Sequence, residues 1–155
     1  MAWKVPAPDL YASIPEADRA SRTIFADEVC TIDDEYFFIL GCLDIAVAGS
    51  EECFRWLAWA SLSKETFRRC ETMWSIEGRE AEPPYFAWLA NNLPGYPSTL
   101  SLRANLITCP IGVRPQIKLE PTDHPLASEQ RDGISPQRVK EIAELMHHLH
   151  DGAKA

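Results

Sequence analysis

The chain has 155 residues, 46% of them hydrophobic and 25% charged, which is the make-up of one globular domain with an ordinary core and excludes a disordered chain. A net charge of −8 at neutral pH and a pI near 5.0 argue against binding a phosphate backbone, since that affinity comes from clustered lysine and arginine. No apolar run has the length of a membrane span or a secretory leader, so the expectation is a cytoplasmic protein with neither nucleic acid nor membrane as a partner.

Residues 1–26 read as an irregular lead-in with three prolines, broken by a helical turn or two over Pro15–Ala20. Glu28–Ile32 reads as a strand, Asp33–Glu35 as a turn and Tyr36–Leu43 as a second strand, apolar on both faces and therefore central and covered on both sides. Gly41 inside that run signals a bulge or a close neighbour, and Asp44–Val47 continues the strand. Ala48–Glu52 is a polar break. Phe54–Ser61 is again two-sided, with Phe54, Trp56 and Ala58 on one face and Leu57 and Trp59 on the other.

Ser63 is placed to cap a helix over Lys64–Ser75, whose apolar positions Phe67, Cys70, Met73 and Trp74 recur at three and four, and Gly78 closes it. Tyr85–Asn92 is ambiguous and is read as a strand because aromatics dominate it. Thr99–Thr108 has the clearest period of two in the chain: Leu100, Leu102, Ala104 and Leu106 alternate with Ser101, Arg103 and Asn105. Arg114–Glu120 pairs with it. Pro125–Gln130 is a short helix, and Ser135 with Pro136 opens a last one burying Val139, Ile142, Ala143, Met146 and Leu149. The sum is an α+β single domain, residues 1–155: a mainly antiparallel sheet with an inserted middle helix over 27–120, then a helical part over 121–150 ending in a C-terminal amphipathic helix.

The five cysteines, Cys30, Cys42, Cys53, Cys70 and Cys109, contain no Cys-x-x-Cys pair and read as reduced thiols, so no metal and no cofactor is expected from them. His147, His148 and His150 fall at a helix end, where an imidazolium suits the dipole better than a metal does. No nucleophile-elbow, zincin or phosphate-loop motif occurs, and no catalytic residue is assigned. Two groups of candidate binding residues remain. Asp123 and His124 form an acid–imidazole pair between prolines, with the structural alternative that Asp123 caps the next helix and His124 packs beneath it. Tyr85, Phe86, Trp88 and Tyr96 form an aromatic set that either packs in the core or walls a recognition groove, with Arg103, Asn105, Gln116 and Lys118 as its polar floor.

Five blocks taken together, Asp34–Ile45, Trp59–Ser63, Glu82–Leu89, the Leu93–Leu102 run LPGYPSTLSL and Leu119–Gln130, resemble in order and spacing the bacterial family catalogued as domain of unknown function 2199, over roughly residues 8–148. Members often begin with a Cys-x-x-Cys-Gly element that looks metal-binding. The spacing is absent from this chain, so the resemblance brings no metal role with it. The reading that follows is a non-enzymatic cytoplasmic interaction module that binds a basic protein partner, an immunity-like role being one form of it. The alternative is a small enzyme or ligand-binding protein with a pocket around Asp123 and His124. Convergence of Asp123, His124 and an aromatic such as Trp88 on one open cavity favours the alternative; a buried, satisfied His124 with an acidic or aromatic surface left exposed favours the module.

Overall fold

Tyr36-Phe37-Phe38-Ile39-Leu40 is apolar on both faces, and the strand it begins is the centre of the fold. The computed structural model describes the backbone of residues 1–154 and the side chains of residues 1–150. Strand β1 (Ala2–Lys4) is followed by helices α1 (Asp9–Ser13) and α2 (Glu16–Arg22), then strands β2 (Thr23–Ala26), β3 (Val29–Ile32), β4 (Tyr36–Ala46) and β5 (Cys53–Leu62). Helix α3 (Lys64–Met73) and a 3-10 turn (Arg79–Ala81) lead to β6 (Tyr85–Leu89), β7 (Arg103–Ile107), β8 (Gln116–Leu119), α4 (Pro125–Asp132) and α5 (Pro136–Lys154).

The β4–β5 hairpin runs in unbroken antiparallel register from Phe37↔Leu62 to Ala46↔Cys53. Its period of two feeds two cores. Phe37, Ile39, Leu43 and Ile45 of β4 meet Phe54, Trp56, Ala58 and Leu62 of β5 in the larger one, together with Phe67, Leu106, Ile117, Leu126 and Ile142. The opposite parity, Phe38, Leu40 and Trp59, packs with Ile14, Cys30, Ile32 and Ala90 in a second, smaller core. Each large apolar side chain so buried contributes about 1.5–3 kcal/mol.

The sheet then closes. β5 pairs with β6, β6 with β7 and β7 with β8, all antiparallel, and β8 returns to β4 through a parallel bridge at Cys42↔Gln116, making a barrel-like ring. Gly41 lies where β8 crosses β4: a Cβ there would sit 2.7 Å from Ile117 Cγ1. It marks a close neighbour, not a bulge, since the β4–β5 register passes through it without a break. Gln130 of α4 finishes the edge of β8, its Oε1 accepting from Leu119 N at 2.8 Å and its Nε2 donating to Ile117 O at 2.8 Å.

The mixed α+β character and mainly antiparallel sheet agree with the sequence reading, and Ser63 caps α3 by accepting from Thr66 N at 3.1 Å. Several readings need correction. The lead-in holds four regular elements and covers the second core: β1 pairs parallel with β5 (Trp3↔Trp56), and Trp59 Nε1 donates to Val5 O at 3.0 Å. A parallel pairing across more than fifty residues leaves no local pattern. The strand expected over Thr99–Thr108 begins only at Arg103; Thr99–Leu102 is a turn in which Ser101 adopts φ 68° and Leu100 is exposed. On α5, Ile142 is buried as expected but Leu149 is not.

Candidate functional site

Strand β6 alternates cleanly. Ala87 and Leu89 point into the core, whereas Phe86 and Trp88 point outward at 42% and 37% exposure. Their rings meet edge to face, 4.6 Å between centroids. Trp88 shares a shallow outer groove of about 620 Å³ with Leu10, Tyr36, Phe38 and Leu100, so an apolar strip runs across three segments remote in sequence. Cross-strand pairing sets Arg103 opposite Trp88, Asn105 opposite Phe86 and Lys118 opposite Asn105. These give the strip a polar margin.

Leu100 reaches the groove because Asn92 builds the turn that carries it. Asn92 Oδ1 accepts from Ser98 Oγ at 2.9 Å and from the backbone N–H groups of Thr99 and Leu100, each at 3.1 Å. Its own N–H donates to Asp9 Oδ2 at 2.9 Å, tying the turn to α1. The neighbouring Asn91 is fully buried: its Oδ1 accepts from Trp59 N and its Nδ2 donates to Ala7 O and Asp9 Oδ1. A side-chain amide that takes over backbone donors offers the chain an alternative to a strand ladder. That is why the best-patterned apolar alternation in the sequence is half turn.

The remaining candidates do not join Trp88 and Arg103. Tyr85 faces the opposite way from Trp88, into a cavity beneath α3, and its hydroxyl donates to Glu82 Oε1 at 2.6 Å; burial, then that bond, push its pKa up to about 12. Tyr96 is packed edge-on to Trp56 at 6.4 Å under the Arg138 guanidinium at 5.2 Å, and burial, reinforced by Glu129, holds its hydroxyl in the neutral form. His124 is itself the cap of α4, in place of Asp123: Nδ1 accepts from Leu126 N at 3.0 Å, and Nε2, facing Pro97 O and Ser98 O at 3.1 Å each, must carry the proton. Asp123 is exposed, and neither residue lines the outer groove or the cavity under α3.

A bacterial family described as "Uncharacterized protein conserved in bacteria (DUF2199)" has a sequence model that matches residues 1–134. The chain belongs to the DUF2199 family. Neither a curated protein nor a solved structure matches it.

DUF2199 membership assigns no chemistry. Burial pushes the Cys30 and Cys70 thiols up to about 11 and raises Cys42 as well, the reverse of what an activated thiolate requires. No cluster of three or more His, Cys, Asp or Glu is placed to hold a metal ion among the described residues. His147 packs edge-on against Trp3 at 5.3 Å. No helix among the described residues is long and apolar enough to cross a membrane. The residues that sequence reading passed over are Asn91, Asn92 and Thr99, whose polar side chains shape the outer groove, and Arg79, buried beneath α3. Two adjacent asparagines, Asn91 and Asn92, before a proline-rich turn were the available signal for the first three.

Proposed function

We propose that this DUF2199 chain is a non-enzymatic cytoplasmic interaction module whose outer β6 face docks an extended basic segment of a partner protein. The observation that carries the reading is exposed Trp88, which shares one groove with Tyr36 and Leu100 and meets exposed Phe86 edge to face beside it. Trp and Tyr dominate the contact energy of interfaces, and their ring faces attract arginine and lysine. Glu35 directly precedes Tyr36, Asp33 and Asp34 being paired with Arg22 and Lys64, and the −8 net charge of the chain steers a basic partner toward the protein. β6 is flanked by β5 and β7, so the contact is made by side chains and not by adding a strand to an edge. Neutralising a basic protein, as an immunity protein does, is one concrete form of this activity. A reaction centre at Asp123 and His124 lacks support: the histidine spends both ring nitrogens on structure.

The test captures a partner on purified wild-type protein, identifies it, and measures its affinity at two salt concentrations. The expected partner is basic, binds more weakly in high salt, and binds a Phe86→Ala/Trp88→Ser variant about thirtyfold more weakly, the loss of about 2 kcal/mol typical of a hot spot. Equal binding by wild type and variant, or an acidic partner indifferent to salt, refutes the proposal.

A further inference from the structure

The cavity on the other side of β6 holds about 280 Å³ and is walled by α3, β7 and the loop Cys109–Pro115. Its wall is largely apolar, with Ile39, Met73, Trp74, Leu106, Ile111 and Val113 contributing. Of its three charged members, Glu28, Arg79 and Arg114, Arg79 is the one without an opposite charge among the described residues. Arg79 is only 8% exposed and lines the cavity. Its Nε donates to Cys109 O at 2.8 Å, Nη1 to Trp74 O at 2.8 Å, and Nη2 to Pro110 O at 3.0 Å and Val113 O at 3.1 Å. All four acceptors are neutral. A guanidinium has five N–H donors, so one on Nη1 is left without a protein partner. Arg79 makes no ion pair with any carboxylate among the described residues. Glu28, at the same cavity, is already bound to Arg114, with Nε and Oε1 2.9 Å apart.

A buried charge is ordinarily paired, because taking it out of water without a counter-charge is costly. The four carbonyl dipoles, and the Trp74 ring whose centroid lies 5.6 Å from the guanidinium carbon, offset part of that cost and leave the net charge in place. We infer that this cavity binds a small apolar monocarboxylate, its charged end at Arg79 and its hydrocarbon body against the Trp74 and Leu106 side of the wall. The volume equals that of roughly nine liquid waters, suited to a ligand of about a dozen non-hydrogen atoms. Arg79 holds the loop Cys109–Pro115 in place as one wall of the site through the carbonyls of Cys109, Pro110 and Val113. The site is independent of the outer groove, because Tyr85 and Trp88 leave β6 in opposite directions.

The probe is 4-phenylbutanoate, compared with the uncharged 4-phenylbutanamide by calorimetry and thermal shift on the full chain. The acid is expected to bind and raise the melting temperature, and the amide to bind about tenfold more weakly or worse. Replacing Arg79 removes the clamp on the loop as well as the charge, so the diagnostic variants are elsewhere. Ile111→Glu, at a half-exposed position on the mouth, is expected to weaken the acid and leave the amide unchanged; Cys70→Leu, which fills the cavity, is expected to abolish both. The Phe86→Ala/Trp88→Ser variant keeps wild-type affinity for the acid. Equal affinity for acid and amide overturns the charge assignment, and no binding of either at millimolar concentration overturns the site.

Discussion

His124 shows how a residue with catalytic credentials can be spent on architecture. Its ring joins two backbone segments, taking the Leu126 N–H at the start of α4 with one nitrogen and giving the proton on the other to the 97–98 carbonyls. Asp123 beside it makes neither contact. His124→Ala is therefore expected to lower stability by about 1–2 kcal/mol, the worth of a lost helix cap with a staple to a neighbouring turn. Asp123→Ala is expected to stay within about 0.5 kcal/mol of wild type, as exposed substitutions do. Urea denaturation measures both, and His124→Asn, which keeps a capping acceptor, recovers part of the loss. A destabilising Asp123→Ala with a silent His124→Ala contradicts the capping geometry.

At the scale of elements, the turn from Asn92 to Leu102 decides whether the groove exists. Asn92 holds three donors of the turn and is itself anchored to Asp9. Asn92→Ala is expected to cost about 2 kcal/mol and to weaken partner binding, because Leu100 leaves the groove. Leu100→Ala is expected to weaken binding with a stability change of no more than about 0.5 kcal/mol. Denaturation and affinity measured on the same pair of variants separate a turn template from a contact residue; an Asn92→Ala protein with unchanged stability removes the template. The β4–β5 hairpin is the opposite kind of element: its apolar residues alternate between two cores, so its strand character does not depend on any one partner.

For the molecule as a whole, titration limits stability on both sides of neutrality. Arg22 holds the Asp33 carboxyl below its usual range through a bond from Nη2 to Oδ2 at 2.7 Å, and Arg69, then Tyr85, do the same for Glu82. With folded values below the unfolded ones, their contribution is present above the ordinary carboxylate pKa near 4 and is lost as pH falls through the lowered values. Cys30 and Cys70 go the other way. Raised to about 11 by burial, they contribute below the ordinary thiol pKa, and that contribution is lost as pH rises from about 8.5 toward the folded values. Melting temperature against pH is expected to form a plateau with an acid limb that Glu82→Gln flattens. An acid limb unchanged in that variant shows that other carboxylates set it.

Local rules were enough to read much of this protein: the two-sided strands β4 and β5, the Ser63 cap, the amphipathic α3 and the family itself are written in contiguous residues. Gly41 announced a bulge or a close neighbour, and only the structure chose the second and named Ile117. The closure of the ring through Cys42↔Gln116 and the parallel pairing of β1 with β5 depend on contacts between distant segments, for which no local period exists. The same holds for both binding surfaces. Trp88, Tyr36 and Leu100 become one strip, and Arg79 becomes a buried cation facing an apolar cavity, only when the barrel closes. Periodicity is a property of neighbours along the chain, whereas a groove or an uncompensated charge is a property of neighbours in space.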